Sequence, residues 1–432
     1  MSPRAVTSRP RVILRLLAEL VGSRPLRRLA WQRTFLAFQY PNYRLWFLGQ
    51  LVSLVGTWMQ VTAQGYLVFE LTHSPAYLGY VGFANGLPSW LFMLYGGVIA
   101  DRMSRRKLII ITQTTMMLLA FVLAALAFFH LIQPWHIILL AFALGVANAF
   151  DVPARQSFVM DLVGQEDLAN AIALNGTMFN LATVVGPAVG GVVYALVGPA
   201  WCFTINGLSF VAVIVALQLM HLESVTRRTR STAMLDDLKE GLRYALSTPI
   251  IRILIITAAV ISFFGRSYAT LIPAWAVKVL AGDATTNGWL QSAIGVGAFG
   301  GALVIASLGR FKFKGRLLTL GLFILPVTLL LFAYMRWLPL VFLSLAGVGL
   351  AFVFIFNLLN ASVQTLTPED LRGRVVSLYT LSFFGLLTLG ALWAGWLADS
   401  VSEPIAMVIN AVVCLIFTLW LWFRAPDLRH LP

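Results

Sequence analysis

Four charged side chains set at the margins of long apolar runs, or within them, are the residues through which this sequence could do chemistry: Glu70, Asp101, Asp151 and Arg266. A charge surrounded by lipid or by packed apolar groups is costly, and it persists where it pairs, passes ions or holds a ligand. Glu70 ends the first apolar run, Asp101 follows the second and Asp151 ends the fourth, so each could bind and release a proton; no carboxylate stands at the middle of any run. Arg266 lies well inside a run, where it could attract an anionic group or pair with an acid such as Glu70 or Asp151. Gln50, Ser53, Thr57, Gln60 and Gln64 recur at alternating three- and four-residue spacing, which stacks them on one face of a helix. Such a stripe must meet protein or water instead of lipid, either as interhelical hydrogen bonds or as a polar cavity wall. Asn175, Asn180, Gln291 and Asn360 are further polar candidates, and Phe352, Phe354 and Phe356 supply aromatic rings for packing or for stacking a ligand.

Enzyme chemistry finds no support. Cys202 and Cys414 both fall in apolar runs, and the five histidines form no metal-ligand spacing, so neither a disulfide framework, a metal site nor a bound cofactor is expected. No acid pair or nucleophile constellation accompanies them. The elements that must position the polar residues are apolar: 59% of the 432 residues are hydrophobic and 11% charged, against about 25% charged in soluble domains. Lipid is therefore the solvent for much of the chain. The net charge of +14 sits in short basic clusters between apolar runs, which argues against nucleic acid as a partner and for loops that fix membrane orientation.

A spanning helix needs about 20 mostly apolar residues. Runs of that kind lie near 44–69, 75–99, 108–130, 135–154, 169–197 and 200–220, and again near 251–279, 285–308, 316–335, 337–362, 373–398 and 404–423. The predicted fold is thus an all-α membrane protein of twelve transmembrane helices in two six-helix halves. With both termini in the cytoplasm, every one of the 31 lysines and arginines falls inside except Lys278, Arg336 and the intramembrane Arg266, as the positive-inside rule demands. The expected organisation is a basic cytoplasmic segment at 1–40, one half at 41–220, a linker at 221–250, the other half at 251–424 and a short tail at 425–432. The first segment carries Arg4, Arg9, Arg11, Arg15, Arg24, Arg27, Arg28 and Arg33 against Glu19 alone. It is no cleavable signal, and it suits either an anionic membrane surface or solvent.

In the linker, Leu235, Leu238, Leu242 and Leu246 recur at helical spacing amid charges, predicting an amphipathic helix on the inner membrane face. Gln165-Glu-Asp-Leu168 before the fifth run and Pro368-Glu-Asp-Leu371 before the eleventh occupy equivalent loops, a trace of a parallel repeat. Thr367-Pro368-Glu369-Asp370 reads as a helix start, with an N-cap, proline at the first helical position and acids in the first turn.

Gly97-Val-Ile-Ala100-Asp101-Arg102-Met-Ser104-Arg105-Arg106-Lys107 resembles the G-x-L-A-D-R-x-G-R-[RK] loop signature of the major facilitator superfamily, with Ser104 in place of the usual second glycine. Gly186-Pro187-Ala-Val-Gly190-Gly191 resembles the G-P-x-x-G-G core of the motif found in exporters of that superfamily; the preceding small positions are Ala173 and Ala182 instead of glycine. A packing kink explains the same residues, since proline removes a backbone donor and glycine lets helices approach. Trp58-Met59-Gln60, Leu71-Thr-His-Ser74, Phe150-Asp-Val-Pro-Ala-Arg155 and Arg372-Gly-Arg374-Val-Val-Ser-Leu-Tyr379 are similar to the branch containing the bacterial enterobactin exporter and macrolide-efflux proteins. The resemblance covers roughly 40–424.

That resemblance implies a multi-pass monomer of the bacterial inner membrane that exports a small amphipathic molecule, a drug, siderophore or related metabolite, by alternating access in exchange for protons. Gly97, Asp101, Arg102, Arg105 and Arg106 would form a gate, with Asp101 docked at the start of the eleventh helix and Asp151 as the acidic partner of the loop arginines. Gln60, Gln64, Asn175, Asn180 and Arg266 would face the substrate cavity, and Glu70 and Asp151 would be the titratable candidates for coupling. A lysolipid or lipid flippase, a facilitator or an importer of the same fold is the rival within transport. A membrane enzyme or a sensor would need features the sequence does not show.

Overall fold

The computed structural model describes residues 35–221, 234–308 and 313–431. Six long helices come first: α1 Pro41–Thr72, α2 Pro75–Arg102, α3 Arg105–Phe128, α4 Pro134–Phe158, α5 Leu168–Val197 and α6 Pro199–Leu219. A linker helix, Met234–Ser247, precedes six more: α7 Pro249–Val279, α8 Ala284–Leu308, α9 Lys314–Tyr334, α10 Leu338–Leu366, α11 Arg372–Ser400 and α12 Glu403–Arg424. Among the described residues, ten of these helices are long and apolar enough to cross a membrane. They do not include α1, which carries the polar stripe, or α2, several of whose side chains lie outside the described set. The N-terminal segment before Phe35 and linker residues 222–233 also lie outside it, as do the side chains of Leu235 and Leu238.

Local chemistry explains where the helices begin and end. Proline occupies the first or second position of α1, α2, α4, α6, α7, α10 and α12, where its missing N–H breaks no hydrogen bond and its ring presets φ. Gly198 joins α5 to α6 with φ of 89°, a conformation that a Cβ would disfavour. Asp283 caps α8: the Thr286 N–H and hydroxyl donate to its Oδ1 at 2.9 and 3.1 Å. The Thr286 N–H holds the Asp283 carboxyl below the ordinary carboxylate range. Asp283→Ala is expected to cost about 1 kcal/mol at neutral pH. A carboxyl with a depressed folded pKa stabilises above its unfolded value and loses that contribution as pH falls through the folded one. The deficit against the parent, measured by thermal unfolding in detergent, should therefore shrink below about pH 4.

One expected start is displaced. Thr367 is the C-cap of α10, its hydroxyl donating to Val363 O at 2.6 Å, and α11 begins at Arg372. Pro368 forces the preceding residue out of the helical region; Thr367 has ψ of 132°. The following turn, closed by Leu371 N–H to Pro368 O at 3.1 Å, matches the turn before α5 closed by Asp167 N–H to Gly164 O at 3.1 Å. Counted from the two helix starts the turns coincide, and counted from the acidic tetrapeptides they are offset by one residue.

The second half has a core of its own residues, while one of the first half's clusters also takes in Ala274 and Ala284 of the second. In the second, Leu254, Tyr268, Trp275, Leu325, Phe332 and Val341 are fully buried in one cluster, with Trp275 and Phe332 stacked at 4.4 Å between ring centroids. In the first, Tyr43, Trp46, Ile109 and Phe158 form one cluster, and Met59, Phe69, Leu123 and Phe203 another. Large apolar side chains such as Leu48, Trp201, Leu343 and Phe423 point outward, which suits lipid as solvent. The linker helix lies against α11: the Glu240 carboxylate and Arg374 Nη1 are 2.5 Å apart, while Leu242 and Leu246 remain exposed.

Candidate functional site

The halves meet along two helix pairs, α5 with α8 and α2 with α11. The glycines of α5 explain the first pair. Gly186 and Gly190 sit on the face toward α1, where an added Cβ would stand 2.5 Å from Trp58 Cβ and 2.9 Å from Met59 O respectively. Gly191 sits on the adjoining face and meets α8, an added Cβ there lying 2.6 Å from Ala284 O and 3.0 Å from Gly288 Cα. Pro187 is buried within the same helix. The G-P-x-x-G-G segment therefore packs α5 within its own half with one face and onto the other half with the next, as small residues allow in lipid. Farther along the seam an added Cβ at Gly295 would stand 2.6 Å from Thr183 O, and Ser292 Oγ donates to Val184 O at 2.6 Å. In the second pair, Gly79 and Gly395 leave room for close backbone approach, and Gly385 receives the indole of Trp90.

These contacts gather toward the end of the bundle that carries His73, Gly198 and Asp283. Three further contacts join the halves there. Thr62 Oγ1 donates to Gln291 Oε1 at 3.1 Å, Ser74 Oγ donates to Asp399 Oδ1 at 2.6 Å, and Lys278 Nζ lies 5.5 Å from the centroid of the Phe69 ring. Lys278 also pairs with the nearly buried Glu403 at 2.8 Å. Its sequence position in a turn gave no sign of this, because the partner lies 125 residues away on α12. Toward the opposite end, the one that carries Ser104, Gly176 of α5 and Gly300 of α8 have nothing within 4 Å of where a Cβ would stand. The close contacts across the seam among the described residues thus run from mid-depth to the His73 end.

The acids and bases separate into distinct settings. Asp151 is fully buried, 2.5 Å from Arg155 Nε, and its Oδ1 accepts from Thr112 at 2.7 Å and Gln113 at 3.1 Å. Arg155 also donates to Gln50 at 3.3 Å. The expectation that Asp151 serves the loop arginines is corrected for Arg105, which pairs with Asp161 at 3.2 Å and donates to Ser157 O at 2.5 Å. Arg155 is one helical turn from Asp151 on α4, so it takes the acid first. Arg106 donates to Gln218 O at 3.0 Å. Gly97, Asp101 and Arg102 fall on the last turns of α2, and their surroundings lie outside the described residues. Glu70, exposed at the end of α1, accepts the Tyr194 hydroxyl.

The polar stripe of α1 is mostly buried, and Gln50 and Gln60 bond to other helices. Gln60 is buried and accepts from Asn206 of α6 at 2.7 Å, and Gln64 is buried as well. Spacing selects a helix face and says nothing of which neighbour meets it, so Gln60 is withdrawn from the cavity wall. Asn175 is half-buried and accepts from Tyr43 at 3.3 Å; Asn180 is half-buried on α5. Arg266 is half-buried and pairs with no acid among the described residues, so neither Glu70 nor Asp151 is its partner. It stands where a π-helical stretch, Ile261–Gly265, meets the α-helical piece Tyr268–Ala274; a second π-helical stretch, Trp275–Val279, follows. Such stretches are common at functional positions, and the amino-acid pattern around Arg266 gave no warning of them.

Comparison with known proteins places this arrangement. Residues 33–430 match the family model described as transmembrane secretion effector. The multidrug efflux pump Tap of Mycolicibacterium fortuitum is 27% identical over 359 residues, covering 81% of this chain and 87% of the relative. The staphyloferrin A transporter of Staphylococcus aureus is 24% identical over 358 residues, covering 82% and 89%. The enterobactin exporter EntS of Shigella flexneri is 27% identical over 353 residues, covering 79% and 81%. Among solved structures, a bacterial homologue of the human lysosomal transporter Spinster superposes with TM-score 0.69 at 15% identity, covering 90% of this chain and 98% of that one. The nucleoside transporter NupG superposes with TM-score 0.69 at 14% identity, covering 88% and 98%. The helices, the glycine-lined seam between two halves and these matches together identify the chain as a member of the transmembrane secretion effector family, within the major facilitator superfamily of membrane transporters.

Proposed function

We propose that this protein exports a small amphipathic molecule from the bacterial cytoplasm by alternating access, with twelve helices across the inner membrane and both termini inside. The observation that carries the reading is the seam: the close contacts between the halves run from mid-depth to the His73 end, and we take the Ser104 end as the open one. One end closed and one open is what a carrier needs in each of its two states. The distribution of Lys and Arg favours the Ser104 end as the cytoplasmic one, so this state faces inward. The relatives named as efflux pump and siderophore exporter support the outward direction. Residues 41–220 and 251–424 are the two moving bodies, 221–250 the linker between them and 425–432 the tail. Asp101, with Arg102, Arg105 and Arg106 around it, is the latch that holds the cytoplasmic end shut in the other state, docked at the start of α11. The transporter acts as a monomer and exchanges substrate for protons, with Glu70 or Asp151 as the titrating group.

A specific observation favours one rival, the flippase. An apolar groove of about 320 Å³ lies between α5, α8 and α10, lined by Val184, Val189, Trp289, Val296 and Phe342, where an acyl chain could rest. Inside-out vesicles with an imposed proton gradient separate the two. Export predicts accumulation of a water-soluble amphipathic dye inside the vesicle, abolished by an uncoupler, with Glu70→Gln or Asp151→Asn exchanging substrate without concentrating it. Gradient-independent flux from the parent removes the antiporter, and transfer of labelled lysolipid between leaflets without dye accumulation favours the flippase.

A further inference from the structure

Arg266 stands near the middle of the 31-residue run of α7. Its Nη1 donates to the Tyr268 hydroxyl at 2.8 Å, and its central carbon lies 5.0 Å from the Phe352 ring centroid and 5.6 Å from that of Tyr268. The Tyr268 bond uses one edge of a group that carries several N–H donors in a rigid planar fork. The Tyr268 ring is buried, Arg266 itself is half-buried, and among the described residues its guanidinium makes no further hydrogen bond. The rings beside it continue onto α10 and α11. Phe352 and Phe356 of α10 have centroids 4.2 Å apart, and Phe356 and Phe383 of α11 have centroids 4.4 Å apart. All three rings are partly exposed. The guanidinium and the rings together form one wall of the second half, with Arg266 at the mid-depth of α7.

We propose that Arg266 with the Phe352, Phe356 and Phe383 rings forms a substrate subsite selective for organic anions built on a flat aromatic body. The inference rests on the export reading and specifies the charge class of what is carried. A fixed cation in a low-dielectric wall attracts an anion and repels a second cation. Rings set face and edge accept another ring by offset or edge-to-face packing. An aromatic cation could use the ring faces, but Arg266 already occupies the Phe352 face. A carboxylate matches the fork of a guanidinium in two parallel bonds.

The test uses three probes of one shape and different charge: naphthoate, naphthylmethanol and naphthylmethylammonium. Their binding to the full chain in lipid nanodiscs is measured by calorimetry. Naphthoate is expected to bind tighter than the alcohol by about tenfold or more, the yield of a charge-assisted hydrogen bond, and the ammonium compound weakest. Arg266→Gln should bring naphthoate down to the level of the alcohol while leaving the alcohol unchanged. Arg266→Lys should keep part of the anion preference, and Phe352→Leu should weaken all three. Equal binding of the three probes to the parent overturns the proposal even if no variant folds, and so does an anion preference that survives Arg266→Gln. Proteoliposome flux separates this inference from the export reading. Directional transport without charge preference leaves export standing and removes the subsite. Arg266-dependent naphthoate binding without directional transport does the reverse.

Discussion

Gly288→Leu is expected to abolish transport and to open the His73 end. An added Cβ at Gly288 already stands 3.0 Å from Gly191 Cα and 3.1 Å from its N. A leucine places further carbons beyond that, against backbone that has no rotamer to yield. Overpacking of this kind costs about 3 kcal/mol, roughly a hundredfold in the population of the closed arrangement. The clash lies between the halves, and the core of the second half is built from its own residues, so the variant should fold. The readout is the thiol of Thr62→Cys, in a background where the buried Cys202 and Cys414 are alanine. Thr62 is buried behind the seam, and its labelling by an impermeant maleimide from the side of the His73 end should rise by about tenfold or more. Labelling no faster than in the parent sinks the assignment of this seam as a gate.

Asp151→Ala is expected to lower stability by about 3–5 kcal/mol, because removing one partner of a buried ion pair strands the other. The strain falls on Arg155, which keeps Gln50 at 3.3 Å as its remaining partner. Asp151→Asn should lose less, since Thr112 and Gln113 still find an oxygen to donate to. The double variant Asp151→Ala with Arg155→Met should regain most of the loss, as replacing both members of a buried pair with apolar groups is often near neutral. Thermal unfolding of purified protein in detergent measures all three. A double variant no more stable than Asp151→Ala would show that the pair contributes through something other than charge compensation.

Most of the architecture was legible because lipid imposes a coarse, one-dimensional rule. A run of about 20 apolar residues must be a helix, and the helices found start within a few residues of those runs. The linker helix was legible for the same reason, from Leu242 and Leu246 against a charged face. The failures share one cause, which is that tertiary partners cannot be read from spacing. Gln60 shows a face and hides Asn206, while Asp151 shows a charge and hides its preference for Arg155 over Arg105. Thr367 shows a capping residue, but Pro368 makes it the end of one helix instead of the start of the next. Lys278 looked like a loop cation and reaches Glu403 and Phe69. The intramembrane base was found from its cost alone; its aromatic surroundings come from α10 and α11, more than 80 residues downstream.

The interrupted hydrogen-bond ladder of α7 carries a mechanical consequence. Each π-helical stretch holds a surplus residue relative to an α-helical turn, and a surplus residue rotates everything beyond it by about 100°. Because Ile261–Gly265 and Trp275–Val279 flank Tyr268–Ala274, that short piece is a shaft with a compliant coupling at either end. Passing the surplus from one side of Arg266 to the other would swing its guanidinium by a quarter turn, while α7 stays seated at both membrane surfaces and its total of backbone hydrogen bonds is conserved. A carrier so built could turn one charge between two faces without moving the ends of the helix that bears it.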